Sequence, residues 1–242
     1  MTTNTKPTLN SLPVLHYAWL LYKKGFVPLF LIALGASAAN QLLTLPISTQ
    51  LMTIDDPSKL NLTPLSIGLV ILAGIIMLWC YSILQSLLYG YHCQANNTFL
   101  QAVLVTFKQL PLIVINGFIF ALMFMLGLML YVIPGILIAT LFMLYLPLML
   151  FEKQSGLRAF TTSFQWVKPF FLQVVPIATV IFILLMIPSV WPTLTQYIFT
   201  GTSLTMERAI DVILMGLLLP LVNAIVASLY IALKMYQQRK VA

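Results

Sequence analysis

Charge is scarce in this chain. Asp, Glu, Lys and Arg make up 7% of its 242 residues, against roughly a quarter in a soluble domain. Hydrophobic residues make up 61% and mean hydropathy is +1.01. Those values exclude an ordinary water-soluble enzyme and define an integral membrane protein. Cysteine is nearly absent. Cys80 falls inside an apolar stretch and Cys93 just past its end, poor positions for an exported disulfide, so both are expected as free thiols. The two histidines, His16 and His92, lie far apart in the sequence with no carboxylate nearby in their segments, and metal or acid/base chemistry needs such partners. They read as polar anchors near the membrane surface.

Catalytic motifs are missing as well. There is no HExxH, no Gly-x-Ser-x-Gly elbow, no phosphate-binding glycine loop and no cysteine cluster. Intramembrane proteolysis would need a nucleophile with a base, or paired aspartates, at membrane depth. The sequence offers neither, so the expectation is a protein without enzymatic activity, with no catalytic, cofactor-binding or metal-ligating residue to assign.

What the chain has in abundance is long apolar runs. Every backbone polar group of a spanning segment must be satisfied internally, which calls for helices of about 20 residues. Six are predicted, at Phe26–Ile47, Leu65–Gly90, Pro111–Tyr131, Pro134–Phe151, Pro169–Trp191 and Ile210–Lys234. Their interiors hold no Asp, Glu, Lys, Arg or His. Between the third and fourth only Val132 and Ile133 precede Pro134–Gly135, so a tight turn at Pro134 and Gly135 is expected to return the chain.

The few charges are sorted, and the sorting selects this topology. With the hairpin in place, Lys6, Lys23, Lys24, Lys108, Lys153, Arg158, Lys168, Lys234, Arg239 and Lys240 fall on one side, ten of the twelve Lys and Arg. The other side holds Lys59 and Arg208 with Asp55, Asp56 and Glu207, and Asp211 at the start of the last helix, four of the five acids. The positive-inside rule makes the basic side cytoplasmic. The reading is an all-α membrane protein, one polytopic domain over residues 1–242, with both termini cytoplasmic. The polar N-terminus carries one Lys before residue 23 and no small-residue cleavage site follows a short apolar core. No removable signal peptide is expected, and the first span is its own insertion signal.

An internal repeat organises the connections. Leu100-Gln101-Ala102-Val103 with Thr106-Phe107 and Pro111 recurs, one residue longer, as Leu157-Arg158-Ala159-Phe160 with Ser163-Phe164 and Pro169. In the second copy Leu157, Phe160, Phe164 and Val167 mark an apolar face, with Arg158, Thr161, Gln165 and Lys168 opposite, the pattern of a helix lying in the membrane interface. The first copy keeps Leu100, Val103, Phe107 and Leu110. Residues Val14–Lys24 form a degenerate third copy. The chain divides into units 1–90, 91–152 and 153–242, each an interfacial amphipathic helix followed by a transmembrane hairpin.

The middle of the chain carries a family resemblance. Val132-Ile133-Pro134-Gly135-Ile136, then Pro147, Glu152-Lys153, Gly156, Ser163 and Trp166, resembles the Pro-Gly hairpin and following amphipathic helix of the bacterial inner-membrane family called YciC. Similar patterns occur in membrane domains found with some glycerophosphodiester phosphodiesterases. The resemblance is local to about 40 residues and implies a multi-pass protein of the bacterial cell inner membrane with cytoplasmic ends. It brings no catalytic residue to carry over.

Polar groups inside the spans are amides: Asn40, Gln41, Gln85, Asn116, Gln173 and Asn223. An unbonded amide in hydrocarbon costs several kcal/mol, so each is expected to face another helix or water. Small residues spaced by four, Ser82, Ser86 and Gly90 and again Ala224, Ser228 and Ala232, allow close helix contact. Lys153, Arg158, Trp166 and Lys168 are candidate lipid-headgroup contacts, each surface cation worth roughly 1 kcal/mol near anionic lipid. The partners expected are membrane lipids, with another inner-membrane protein or a second copy as alternatives. Nucleic acid is excluded because the cations are scattered over short segments. The functional expectation is a non-enzymatic envelope protein that organises partners or lipids; the alternative is an uncoupled channel, flippase or transporter subunit using the amides.

Overall fold

The computed structural model describes residues 11–53, 63–93, 98–154, 156–198 and 204–241, which leaves Lys6, Asp55, Asp56 and Lys59 outside the described residues. The described residues form ten α-helices: α1 (Ser11–Lys24), α2 (Phe26–Thr53), α3 (Pro64–His92), α4 (Phe99–Lys108), α5 (Leu110–Leu130), α6 (Val132–Phe142), α7 (Tyr145–Phe151), α8 (Leu157–Val167), α9 (Phe171–Ile198) and α10 (Leu204–Val241). Six helical runs are long and apolar enough to cross a membrane: Phe26–Ile47, Pro64–His92, Leu110–Leu130, Ile133–Phe151, Leu157–Pro188 and Met206–Arg239. The element order passes three times through a short helix followed by two long apolar runs.

Local chemistry sets the helix starts. Thr63 caps α3 through its side chain to the Ser66 N–H, with Pro64 at the first position, where its missing donor costs nothing. Thr98 and Gln101 close a reciprocal capping box on α4. Between α1 and α2 lies Gly25, where an added Cβ would come within 2.2 Å of the Tyr91 ring.

Three boundaries differ from the sequence expectation. The turn between the third and fourth spans falls at Tyr131, which is extended (φ −179°, ψ 162°), and not at Pro134–Gly135. Pro134 occupies the first turn of α6, where a proline is tolerated. Gly135 is the close-contact point of the hairpin: its Cβ would lie 2.6 Å from Leu128 Cδ2, and one at Gly127 would lie 2.9 Å from the Gly135 Cα. The fourth span is also broken, into α6 and α7, at Met143 and Leu144. Pro147 lies four residues beyond Met143; its ring collides with that carbonyl in a continuous helix and it supplies no N–H. The last helix starts at Leu204 rather than Ile210, which places Asp211 about two turns inside it.

The run Leu157–Pro188 is two segments rather than one. Trp166 of α8 stacks on Tyr230 and Phe170 meets Tyr236, so the chain first moves toward the C-terminus of α10. Ile181 of α9 then shares a cavity with Val222 and Val226, further back along α10. The reversal falls at the 3₁₀ turn Lys168–Phe170. Thus α8 and the turn lead toward the C-terminal end of α10, and α9 runs back along it.

The buried core is concentrated at the end of the bundle where α3 and α10 finish and α5 and α9 begin, here called the basic end. Leu84, Leu87 and Leu88 of α3, Tyr145 to Leu150 of α7, and Ala224 to Tyr230 of α10 are buried there. Toward the opposite end large apolar side chains face outward, among them Leu65, Met129, Leu130, Tyr131 and Ile133. In lipid this carries no penalty, because acyl chains are as apolar as the side chains.

Candidate functional site

The three short helices pack by one shared device. Each buries an alanine and, four residues later, a residue whose hydroxyl reaches toward a neighbouring element: Ala18 and Tyr22 in α1, Ala102 and Thr106 in α4, Ala159 and Ser163 in α8. The Tyr22 hydroxyl donates to the Leu217 carbonyl at 3.2 Å. Thr106 Oγ1 accepts from Trp79 Nε1 at 3.1 Å, and Ser163 Oγ donates to the Leu141 carbonyl at 2.8 Å. The last bond satisfies a carbonyl beside the break in the fourth span.

This geometry corrects the expected amphipathic face. Phe160 and Val167 are buried against the bundle, whereas Leu157 and Phe164 point outward, as do the repeat-related Leu100 and Phe107 of α4. Each helix therefore has two apolar contacts, a narrow one with the protein and a second with its surroundings. The small residues permit the first, and the large ones fill the second. Of the candidate headgroup contacts, Lys153, Arg158 and Lys168 are exposed, with Lys168 Nζ 5.4 Å from the Phe164 ring centre. Trp166 is half-buried and stacked on Tyr230, ring centres 6.0 Å apart. Lys153 takes a left-handed conformation (φ 52°), as does Gly156 (φ 60°), and these turn the chain from α7 into α8.

Beneath α8 lies a cluster that sequence reasoning missed. Glu152, at the end of α7, accepts from Lys234 Nζ and from the Tyr230 hydroxyl on the same oxygen, both at 2.6 Å. Lys234 also donates to the Tyr89 and Tyr230 hydroxyls at 3.4 and 3.3 Å. Tyr89 stacks on Phe151 with ring centres 4.0 Å apart, and His92 Nδ1 is hydrogen-bonded to the Tyr17 hydroxyl at 2.7 Å. The cluster ties α1, α3, α7, α8 and α10 together. One signal was available: Glu152 is the only carboxylate that the charge sorting leaves on the basic side.

Burial alone would raise the Glu152 carboxyl pKa, but hydrogen bonds from Lys234 and Tyr230 and the Lys234 charge outweigh it and hold the group below its ordinary value of 4.5. A depressed carboxylate stabilises the folded state above its ordinary pKa and loses that contribution as pH falls through the lowered value. The melting temperature in detergent should therefore fall as pH is lowered below 4.5, and Glu152→Gln should flatten that acid limb. An unchanged acid limb in the variant would refute the ion pair as a contributor.

The amides separate into distinct pairs. Gln85 Nε2 donates to the Asn223 carbonyl at 3.2 Å, joining α3 to α10, and Asn223 Nδ2 donates to the Leu219 carbonyl at 2.9 Å. Asn116 Nδ2 lies 3.1 Å from Met149 Sδ. Gln41 Nε2 donates to the Asp211 carboxylate toward the opposite end, while the Asn40 carbonyl accepts from Thr44 at 2.8 Å. The side-chain oxygens of Asn116 and Asn223 are buried with no hydrogen-bond partner among the described residues. A cavity of about 260 Å³ lies among α3, α5, α6, α7, α9 and α10, lined by Tyr81, Phe120, Phe124, Tyr145, Phe182 and Val226 among others. Its lining is apolar. The thiols of Cys80 and Cys93 are free, and no group of three His, Cys, Asp or Glu side chains converges among the described residues.

Fold and site together define an all-helical, multi-pass membrane protein, with three short helices and a clustered ion pair at its basic end. No family model, no curated protein and no solved structure matches the chain.

Proposed function

We propose that the chain is a non-enzymatic protein of the bacterial inner membrane, with both termini cytoplasmic, that gathers anionic lipids around its basic end. The observation that carries this reading is the collar of α1, α4 and α8. Each helix is fastened to the bundle by a buried alanine and a hydroxyl, turns large apolar residues such as Trp19, Phe107 and Leu157 outward, and lies beside exposed cations. That is the arrangement of helices seated in an interface with basic residues at headgroup level. The positive-inside rule supports the cytoplasmic orientation, and the resemblance to the YciC family supports the inner membrane. An assembly with a second copy or another membrane protein would use the same collar.

The test is native mass spectrometry of the full chain released from vesicles of mixed phosphatidylglycerol and phosphatidylethanolamine. Converting Lys153, Arg158 and Lys168 to Gln should cut retained phosphatidylglycerol by more than tenfold, since three cations at about 1 kcal/mol each exceed 1.4 kcal/mol. Unchanged lipid retention by a folded triple variant would overturn the reading. One observation favours an alternative, an uncoupled path for a lipid or small solute: the Asn116 and Asn223 side-chain oxygens are buried without a hydrogen-bond partner among the described residues. Solute or lipid flux in vesicles that is lost in Asn223→Ala at undiminished folded yield would move the conclusion there.

A further inference from the structure

The seam between α2 and α3 carries a groove of about 540 Å³. One wall is Pro28, Leu31, Gly35 and Ala39 of α2; the other is Ile76, Trp79 and Ile83 of α3, and Phe99 of α4 closes one end. We propose that this groove holds one acyl chain of an anionic glycerophospholipid whose headgroup lies beside Lys24.

Four observations carry the assignment. The groove has the right length: from Pro28 to Ala39 the α2 backbone rises about 16 Å at roughly 1.5 Å per residue, and one leaflet of hydrocarbon is half of about 30 Å. It starts at Pro28, near the end of α2 that follows Lys24, and runs along α2 to Ala39. Its volume lies within the range of about 300–1,000 Å³ typical of sites that hold one small molecule. Gly35 keeps its outer rim open, because this residue is exposed and a Cβ on it would meet nothing within 4 Å. The protein leaves this space open although Cys80 Sγ and the Ile32 carbonyl bring the two helices within 3.6 Å beside it.

The walls and the mouth differ in chemistry. Trp79 has its one polar atom satisfied by Thr106, so the indole offers the groove only ring surface. An unfilled groove forfeits dispersion contacts along its whole length, and a flexible acyl chain restores them. Four residues before Pro28, Lys24 reaches to the end of α3 and donates to the Tyr91 carbonyl at 3.2 Å, with its side chain exposed. An ammonium has three donors, so two remain for a phosphodiester. The charge selects an anionic headgroup over a zwitterionic one.

This inference needs only the membrane-spanning architecture, and its test is separable from that of the collar. The full chain is reconstituted with phosphatidylglycerol bearing a photoactivatable diazirine at mid-chain, and the labelled peptides are mapped. Labelling is expected to concentrate on the segments around Gly35 and Ile76. Gly35→Leu, which fills the groove from its open rim, should reduce it to the level of unrelated lipid-facing positions without lowering the melting temperature. If that variant proves unstable, Ile76→Phe blocks the groove from the other wall. Lys24→Gln should weaken the preference over a phosphatidylethanolamine probe by about fivefold, the contribution of one surface cation. Labelling spread evenly around the bundle, or unaffected by either groove-filling variant, would overturn the site. Equal labelling by both probes in the wild type would overturn the anionic assignment. Loss of labelling in the Lys153, Arg158 and Lys168 variant would show that the collar and the groove are one site.

Discussion

Tyr230→Ala is expected to destabilise the bundle by about 3–5 kcal/mol, the cost of removing a large aromatic from a packed core. Tyr230 is fully buried in α10 and lies among the rings of Tyr89, Phe151 and Trp166. Its hydroxyl donates to Glu152 at 2.6 Å. Truncation leaves a cavity where α3, α7, α8 and α10 meet and removes a donor from a half-buried carboxylate. Tyr230→Phe separates the two effects, since it keeps the ring and loses only the hydroxyl's bonds to Glu152 and Lys234, a hydrogen bond to a charged group being worth about 1.5–3 kcal/mol. Equilibrium unfolding in mixed micelles gives both values. A Tyr230→Ala protein as stable as the wild type would mean that the cluster is not the keystone of the basic end.

Gly127→Val is expected to have the second large effect, at the opposite end. A Cβ there would lie 2.7 Å from Ile138 Cδ1 and 2.9 Å from the Gly135 Cα. The first neighbour can rotate away, but the second is backbone, so α5 and α6 must separate. Overpacking of this kind costs about 1–3 kcal/mol, and the loss should appear as a lowered melting temperature and a longer spin-label distance between α5 and α6. Gly74 is the matched control, because its Cβ would meet nothing within 4 Å. Gly74→Ala should be neutral or stabilising, by up to about 1 kcal/mol of helix propensity. If both variants behave alike, the close hairpin contact at Gly127 and Gly135 is refuted.

Much of the architecture was legible in the sequence because a membrane leaves few choices for an apolar chain. Six runs of adequate length had to be helices, and the third and fourth had to form a hairpin for the cations to share a side. The repeat around Ala102 and Ala159 was visible as letters, but not which face of each copy would be buried. Periodicity grouped Leu157, Phe160, Phe164 and Val167 together, since it cannot distinguish a side chain facing protein from one facing lipid when both media are apolar. The turn at Tyr131 and the early start of α10 were misplaced by a few residues, and the fourth span was drawn without its break at Met143. Hydropathy varies too smoothly there, and the prolines mark the helix's first turn rather than the turn that precedes it.

The cluster of Glu152, Lys234, Tyr230 and Tyr89 could not have been assembled from spacing. Its members are separated by up to 145 positions and meet only because antiparallel spans bring the ends of α3, α7 and α10 to one place. The same holds for Gln41 with Asp211 and for Gln85 with the Asn223 carbonyl.

By itself the sequence determined that this is a six-span, all-helical membrane protein and sorted its charges by side, because composition and length answer to the bilayer directly. Only the tertiary structure decided that the core gathers at the basic end, that Glu152 is paired, and that a groove stays open between α2 and α3. Those depend on which faces of equally apolar helices meet, and hydrophobicity alone does not distinguish one apolar neighbour from another.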